Sequence, residues 1–216
     1  MTPRHPKNNF TITAKQKTLL SQCPNIYLIG LMGAGKSTVG KILARALGRN
    51  FYDSDEQIVQ RTGASIPTIF EIEGEAGFRE REQRMIQELS ALPSIVLGTG
   101  GGAVLREENQ QTLKNTGWVI YLATSPERLH QRTRYDRNRP LLQTKNPLAT
   151  LTELYEKRHP IYEDLADIVI KTGSGHVTRV VNEIITQLTL KLNQQAAALS
   201  AEAESKTSEH HDHANG

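Results

Sequence analysis

Five short, almost entirely apolar runs alternate along the chain with stretches in which apolar residues recur every three or four positions. Runs of this length and composition are typical of β-strands that are covered on both faces. They occupy residues 26–30, 50–53, 94–98, 118–122 and 166–171. The stretches between them are predicted to be helices, so the pattern predicts an α/β fold with a parallel sheet.

Two of the intervening helices have clear sequence signals. The last one is marked by apolar residues at helical spacing, namely Val177, Val180, Val181, Ile184, Ile185, Leu188 and Leu192. Another is predicted to begin just after the fourth strand, because Ser125 is a favourable N-cap and Pro126 suits the first helical position. Both helices follow a strand, as the alternation requires.

The two ends of the chain differ from the region between them. Residues 1–24 are basic, polar and weakly periodic, and we expect a flexible extension there; an organelle transit peptide is the alternative, although the segment has few arginines. Residues 194–216 are polar and acidic, and we expect a disordered tail in which three histidines are solvated. The folded domain is therefore predicted to span residues 25–193.

Composition excludes several classes of protein. The net charge of +3 is spread over charges of alternating sign, which argues against a surface dedicated to nucleic acid. Cys23 is the only cysteine, so neither an internal disulfide nor a cysteine-rich metal site is possible, and we expect a cytoplasmic protein. The longest apolar run, residues 26–34, is about half of what a bilayer-spanning helix needs, so no membrane association is expected.

A phosphate-binding loop follows the first strand. Residues 30–37, GLMGAGKS, match the pattern GxxxxGK(S/T) in full, between a predicted strand and a predicted helix. Backbone N–H groups of such a loop surround a phosphate, Lys36 reaches the β- and γ-phosphates, and Ser37 can bind Mg²⁺. The predicted ATP-binding residues here are Gly33, Ala34, Gly35, Lys36, Ser37 and Thr38. A glycine-rich turn opening a buried helix is the alternative, and a GTPase is disfavoured because the strings NKxD and DxxG are absent.

A second group of candidate residues follows the other strands, at the sheet edge where open α/β sheets bind ligands. Asp53 and Asp55 close the second strand. Because they are two residues apart, their side chains would point the same way on a strand. One could help to hold Mg²⁺, and the other could accept a hydrogen bond from a substrate hydroxyl. Alternatively, Asp55 caps the next helix. The charged segment GEAGFRERE, which is predicted to open a helix, is a further candidate for this site. Alternatively, it forms only a solvated face of paired charges. The third strand ends in GTGGG, whose glycines would expose backbone N–H groups.

Together these segments resemble the shikimate kinases over about residues 25–193. The resemblance rests on GLMGAGKSTVG, FYDSD, the FRE of GEAGFRERE, TGGGAV, RNRPLL and YEKRHPIYEDLAD, which occur in the order of the family. It implies phosphoryl transfer from ATP to the 3-hydroxyl of shikimate, giving shikimate 3-phosphate and ADP, a step of chorismate and aromatic amino-acid biosynthesis. It also implies a three-layer α/β/α fold with a five-stranded parallel sheet, like that of the nucleoside monophosphate kinases, a mobile lid, and a monomer.

The resemblance implies a role for individual residues. Asp55 falls on the family's substrate-binding and catalytic aspartate, and Asp53 falls near the metal together with Ser37. The backbone of Gly100, Gly101 and Gly102 contacts substrate, and Arg79 and Arg158 bind its carboxylate, which suits the planar fork of a guanidinium.

The arginine-rich segment ERLHQRTRYDRNRPLL falls within the resemblance as well. Residues 133–145 would form the lid, with Arg139 a catalytic residue at the phosphates of ATP and Arg132 packed on adenine. Read alone, the segment is a candidate nucleic-acid patch, but it lacks aromatic residues for stacking and is interrupted by acidic residues. The loop 172–176 aligns ambiguously, so no adenine contact is assigned to it.

Two other functions remain as alternatives at this point. A gluconate-type or nucleoside monophosphate kinase would use Arg79 and Arg158 for a different anion. A non-catalytic nucleotide-binding protein would keep the phosphate loop and lose the chemistry. The preferred hypothesis is an ATP-dependent shikimate kinase that uses Mg²⁺.

Overall fold

The fold is built on a parallel sheet of five strands. The computed structural model describes residues 12–135, 140–173 and 175–212. The strands are β1 (Asn25–Ile29), β2 (Asn50–Asp53), β3 (Ile95–Gly98), β4 (Gly117–Ala123) and β5 (Ile168–Lys171). Their order across the sheet is β2-β3-β1-β4-β5, and every neighbouring pair is parallel. The predicted parallel sheet is confirmed, and the strand bounds differ from the predicted ones by at most two residues.

Burial follows the position of each strand in the sheet. The central strands β1 and β3 are buried at every position, whereas the edge strand β5 alternates between buried and exposed residues. Continuous apolar runs in the sequence therefore mark the strands that have helices on both faces.

Eight helices and two short 3₁₀ turns surround the sheet in the described part of the chain. The helices are α1 (Ala14–Leu20), α2 (Lys36–Leu47), α3 (Ser54–Thr62), α4 (Ile66–Ser90), α5 (Glu107–Thr116), α6 (Pro126–Thr133), α7 (Pro147–Leu165) and α8 (Val177–Asp212); the turns are Ala103–Leu105 and Pro140–Leu142. Helix α2 links β1 to β2 and α5 links β3 to β4, so the two crossovers run in opposite directions across the sheet. Right-handed connections then place them on opposite faces, which gives the predicted three layers.

Helix positions agree with the two sequence signals. Helix α6 begins at Pro126 with Ser125 as its N-cap, and α8 begins at Val177. Five of the seven apolar residues predicted to face the core from α8 are buried, namely Val181, Ile184, Ile185, Leu188 and Leu192. None of the helices that the structure describes is apolar over a length that could cross a bilayer.

The N-terminal segment differs from the flexible extension that was expected. Thr13 and Gln16 form a reciprocal capping box that begins α1, with Gln16 N–H donating to Thr13 Oγ1 over 3.2 Å. Leu20 at the end of α1 is buried, and so is Cys23 just after it. Arg49 donates to the carbonyl of Cys23 over 2.7 Å, which ties this segment to the domain. Residues 1–11 lie outside the described part of the chain.

The C-terminal segment also differs from the expectation, because α8 continues past residue 193 as far as Asp212. Residues 194–201 are exposed, so core packing does not hold this part of the helix. Its composition explains the helix instead, since alanine, glutamine and leucine are strong helix formers. A segment with few branched apolar residues cannot form a packed core, but it can still form an exposed helix.

Candidate active site

The phosphate loop joins β1 to α2 in the strand-loop-helix arrangement predicted for it. Gly30, Gly33 and Gly35 have φ angles of 137°, 79° and 99°, which favour glycine over residues with a Cβ atom. The Lys36 ammonium donates to the carbonyls of Gly30 over 2.6 Å and Leu31 over 3.0 Å, so the side chain curls back over the loop. The positively charged side chain of Lys36 thus lines a cavity next to the loop.

That cavity has a volume of about 650 Å³. Every predicted ATP-binding residue of the loop lines it, namely Gly33, Ala34, Gly35, Lys36, Ser37 and Thr38. Asp53, Asp55 and Arg132 line it as well. Arg139 lies outside the described residues, and so do the other residues of the predicted lid from 136 to 138.

Ser37 and Asp53 both line this cavity, the larger of two described here, and their side chains are in contact. The Ser37 hydroxyl donates to Asp53 Oδ2 over 2.7 Å. Asp53 Oδ1 accepts from the N–H groups of Asp55 and Glu56, which makes Asp53 the N-cap of α3. A hydroxyl and a carboxylate are the oxygen donors that suit Mg²⁺. No cluster of three or more His, Cys, Asp or Glu side chains that could hold a metal occurs among the described residues.

Asp55 reaches the site from a helix and not from a strand. The expectation that Asp53 and Asp55 share a strand is wrong, because β2 ends at Asp53 and Asp55 lies in the first turn of α3. The alternative that Asp55 caps this helix is also wrong, since Asp53 is the cap. Capping turns the backbone at Asp53, and both carboxylates still line the larger cavity.

The environment of Asp55 disfavours its charged form. Its Oδ1 atom is enclosed and has no hydrogen-bond partner among the described residues. Burial, together with the neighbouring carboxylates of Glu82 and Asp53, raises the pKa of Asp55 to about 7. Lys36 and Arg79 oppose this shift without cancelling it. A carboxyl group with such a pKa can accept a proton near neutral pH.

A smaller cavity of about 320 Å³ adjoins the larger one. Its polar lining consists of Asp55, Arg79, Glu82, Arg158 and the glycines at 100–102, and its apolar lining consists of Met32, Ile66, Pro67, Phe70, Phe78 and Leu141. Asp55, Gly101 and Met32 line both cavities. The structure therefore brings all the described substrate-binding candidates together beside the phosphate loop.

Arg79 is held against a buried carboxylate. Its Nη1 donates to Glu82 Oε2 over 2.6 Å, and Glu82 is fully buried while Arg79 is 13% exposed. A weaker contact of 3.2 Å joins Arg79 to Glu75. The alternative of a solvated charged face is therefore wrong for Arg79. The backbone of α4 is non-helical at Gly74, where φ is 71°, so GEAGFRERE opens the second part of this helix, in agreement with the predicted helix opening.

Two of the three consecutive glycines at 100–102, the glycine triplet, leave room for charged side chains. A Cβ atom on Gly100 would lie 2.3 Å from Glu82 Oε1, and one on Gly102 would lie 2.4 Å from Arg79 Nη2. The Gly100 N–H donates to Ser54 Oγ over 2.9 Å, so it is already engaged within the protein. Close packing against Glu82 and Arg79 is therefore sufficient to explain why Gly100 and Gly102 are glycines, without a contact between their backbone and substrate.

Arg158 and Tyr162 lie one turn apart on α7 and contact the same carbonyl. Arg158 is 7% exposed, and its Nη1 donates to Gly101 O over 3.2 Å. The Tyr162 hydroxyl donates to Gly101 O over 2.5 Å. The sequence interpretation missed Tyr162 and also Glu82. The spacing of four residues from Arg158 was the available signal for Tyr162, since it places both on one helix face.

Arg132 connects the phosphate loop with the loop before α8. It donates to the carbonyls of Gly33 and Ala34 over 3.3 and 3.2 Å, and to that of Gly173 over 3.1 Å. Thr172 and Gly175 line the larger cavity from the same loop, where the sequence allowed no assignment, and Ser174 lies outside the described residues. This side of the cavity is thus lined by Arg132 of α6 and by Thr172 and Gly175.

The sheet order, the phosphate loop after the central strand and the adjoining pair of cavities define a P-loop kinase. The sequence model of one such family, described as shikimate kinase, matches residues 32–189. The chain belongs to the shikimate kinase family.

Individual relatives cover most of the chain. It is 57% identical over 171 residues to a shikimate kinase of Thiobacillus denitrificans, covering 79% of this chain and 93% of that protein. It is 60% identical over 163 residues to one of Dechloromonas aromatica, covering 74% and 89% respectively. Among solved structures, shikimate kinase from Acinetobacter baumannii in complex with shikimate has a TM-score of 0.77 at 47% identity, covering 81% of this chain and 97% of that one.

Proposed function

We propose that this protein transfers a phosphoryl group from ATP to the 3-hydroxyl of shikimate, giving shikimate 3-phosphate and ADP, a step of chorismate and aromatic amino-acid biosynthesis. One observation carries the proposal: Asp55 and Gly101 line both cavities, of which one contains the phosphate loop and the other contains Arg79 and Arg158. A donor and an acceptor in these cavities would meet at Asp55. Membership of the family and its relatives' names support the same substrates.

ATP would occupy the larger cavity. The loop N–H groups and the N-terminus of α2 would surround its β-phosphate, and Lys36 would leave the carbonyls it now contacts to neutralise the β- and γ-phosphates. Arg132, which lines this cavity, would contact the adenine, and Arg139 would meet the transferred phosphoryl group. These positive charges offset the charge that develops during transfer.

Ser37 and Asp53 would hold Mg²⁺ together with the nucleotide, which supplies the remaining ligands. The bound ion would neutralise phosphate charge. Both residues line the larger cavity, and their oxygens are 2.7 Å apart, which supports a shared role in binding the ion.

Shikimate would occupy the smaller cavity. Its carboxylate suits the guanidinium groups of Arg79 and Arg158, which can bind both of its oxygens, with the backbone of the glycine triplet beside them. The apolar wall formed by residues such as Phe70 and Phe78 would cover the ring. Closure of residues 133–145 over the site would exclude water, which otherwise competes as the acceptor.

Asp55 would orient the attacking hydroxyl and take its proton. As the oxygen bonds to phosphorus, the O–H bond breaks and the proton moves to the Asp55 carboxylate, while the bond to the leaving ADP oxygen breaks. Its pKa of about 7 allows Asp55 to be ionised before the step and protonated after it.

We also propose that the protein acts in the cytoplasm as a monomer. A monomer is what the resemblance to the family implies, and Cys23, which is buried, is the only cysteine, so no internal disulfide requires an oxidising compartment.

The test is ADP release by the purified full chain with Mg²⁺ and ATP, measured with shikimate, quinate and gluconate in parallel. We expect turnover with shikimate only. In addition, Arg158→Ala should raise the KM for shikimate about a hundredfold and leave the KM for ATP unchanged, because it removes a buried charged contact. Lys157→Ala, a change at its exposed neighbour, is the matched control. Turnover with gluconate and none with shikimate would refute the proposal.

A further inference from the structure

Tyr162 is a buried tyrosine at the acceptor cavity that the proposed chemistry does not yet use. Its side chain is fully buried, and its hydroxyl donates to Gly101 O over 2.5 Å. Arg158 donates to the same carbonyl over 3.2 Å. One carbonyl therefore receives two donors from α7, one from the proposed carboxylate-binding arginine and one from a residue that lines neither cavity.

The ring of Tyr162 is fixed by aromatic packing. It stacks on Tyr121 of strand β4, with ring centroids 4.9 Å apart and planes 26° apart. The Tyr121 hydroxyl is itself 3.1 Å from His159 Nδ1. Burial raises the pKa of Tyr162 above its ordinary value, so its hydroxyl remains protonated and remains a donor. The hydroxyl is thus held at one place by a rigid ring, and it costs little conformational entropy to keep it there.

Fixing the Gly101 carbonyl has consequences on both of its sides. The carbonyl and the Gly102 N–H belong to one planar peptide unit, so the direction of the first sets the direction of the second. On the other side, the carbonyl is the partner that holds Arg158 Nη1.

We propose that Tyr162 is a positioning residue for the acceptor: through the Gly101 carbonyl, its hydroxyl sets the orientation of the Gly101–Gly102 peptide and of the Arg158 guanidinium that together meet the substrate carboxylate. The inference rests on the proposed function of this site. It requires that loss of the hydroxyl weakens the acceptor site much more than the nucleotide site, because Gly102 and Arg158 line only the smaller cavity, although Gly101 borders both.

The test is Tyr162→Phe, which keeps the ring and removes only the hydroxyl. We expect the KM for shikimate to rise about tenfold, with the KM for ATP within about twofold and kcat within about threefold of the wild type. Tyr121→Phe is the matched control, because it also removes a buried phenolic hydroxyl that makes one hydrogen bond. That bond goes to His159 and not to Gly101. Its two KM values should stay within about twofold of the wild type.

A double-mutant cycle separates positioning from general destabilisation. If Tyr162 acts through Arg158, then Tyr162→Phe in an Arg158→Lys background should change the KM for shikimate less than about threefold. An unchanged KM in the single variant, an equal rise in both KM values, or full additivity in the cycle would overturn the inference. The wild type in the same assay tests the proposed function separately; if it used another acceptor, the KM for that acceptor would be compared instead.

Discussion

Asp55→Asn is expected to stabilise the folded protein at neutral and alkaline pH while it removes catalysis. Asp55 has an enclosed carboxylate oxygen without a partner and lies near two other carboxylates. Ionisation of this group therefore opposes folding, and asparagine has the same shape without the charge. The structure thus predicts opposite effects of one substitution on stability and on activity, as expected where a site is arranged for function.

The magnitude follows from the pKa of Asp55. Its rise from 3.8 to about 7 corresponds to about 4 kcal/mol. Because Asp55 is only partly buried, screening by solvent reduces this figure, and we expect about 2 to 4 kcal/mol. For a carboxyl whose pKa is raised on folding, the native state binds more protons than the unfolded state between the two pKa values. Wild-type stability therefore falls relative to the variant as pH rises from about 4 to about 7, and the difference is constant above that.

Urea unfolding of both proteins without nucleotide or Mg²⁺, at about pH 5.5, 7 and 8.5, measures this difference. The advantage of Asp55→Asn should grow by about 1 to 2 kcal/mol between the first and the last pH. Glu56→Gln is the matched control, since Glu56 is an exposed neighbour, and it should stay within about 0.5 kcal/mol of the wild type at every pH. A difference between Asp55→Asn and the wild type that is independent of pH, or that has the opposite sign, would refute the reasoning.

Three further outcomes are expected. Below about pH 7, kcat/KM for shikimate should fall, approaching tenfold per pH unit, because protonated Asp55 cannot accept the hydroxyl proton; a flat pH profile would contradict this role. Ser37→Ala should raise the Mg²⁺ concentration at half-maximal rate about tenfold, measured by titration at saturating ATP, since one of two protein oxygens is lost. Gly100→Ala should lower kcat/KM at least about a hundredfold, because its methyl would lie 2.3 Å from Glu82 Oε1; in Gly173→Ala the methyl meets nothing closer than 3.9 Å, and activity should stay within about twofold.

The strands and the phosphate loop could be predicted because their signals are local. A buried parallel strand needs a continuous apolar run, and a phosphate loop needs its glycines, lysine and hydroxyl at fixed spacing. The strand order was not accessible from periodicity, since it depends on which runs pair across the sheet. The helical ends of the chain were missed for a different reason: composition reports whether a segment can bury apolar surface, whereas a capping box or high helix propensity forms a helix without it.

The site was predictable only as far as each residue carries its own signal. Glu82 lies in a stretch where four of five residues are charged, and nothing local distinguishes it from its solvated neighbours. Its burial results from packing of α4 against the glycine triplet, which is a tertiary property. Asp53 and Asp55 both line the larger cavity, but Asp55 lies on a helix and not on the strand, because Asp53 ends β2 and caps α3.

The shared wall between the two cavities has a consequence for inhibition. Because Asp55, Gly101 and Met32 border both spaces, a single molecule that occupied both would pass these three residues. A compound that joins a carboxylate-bearing ring to a phosphate chain would bind its second half at a high effective concentration once the first half is seated. Its affinity would then depend on the length of the bridge past Asp55 as strongly as on either head group.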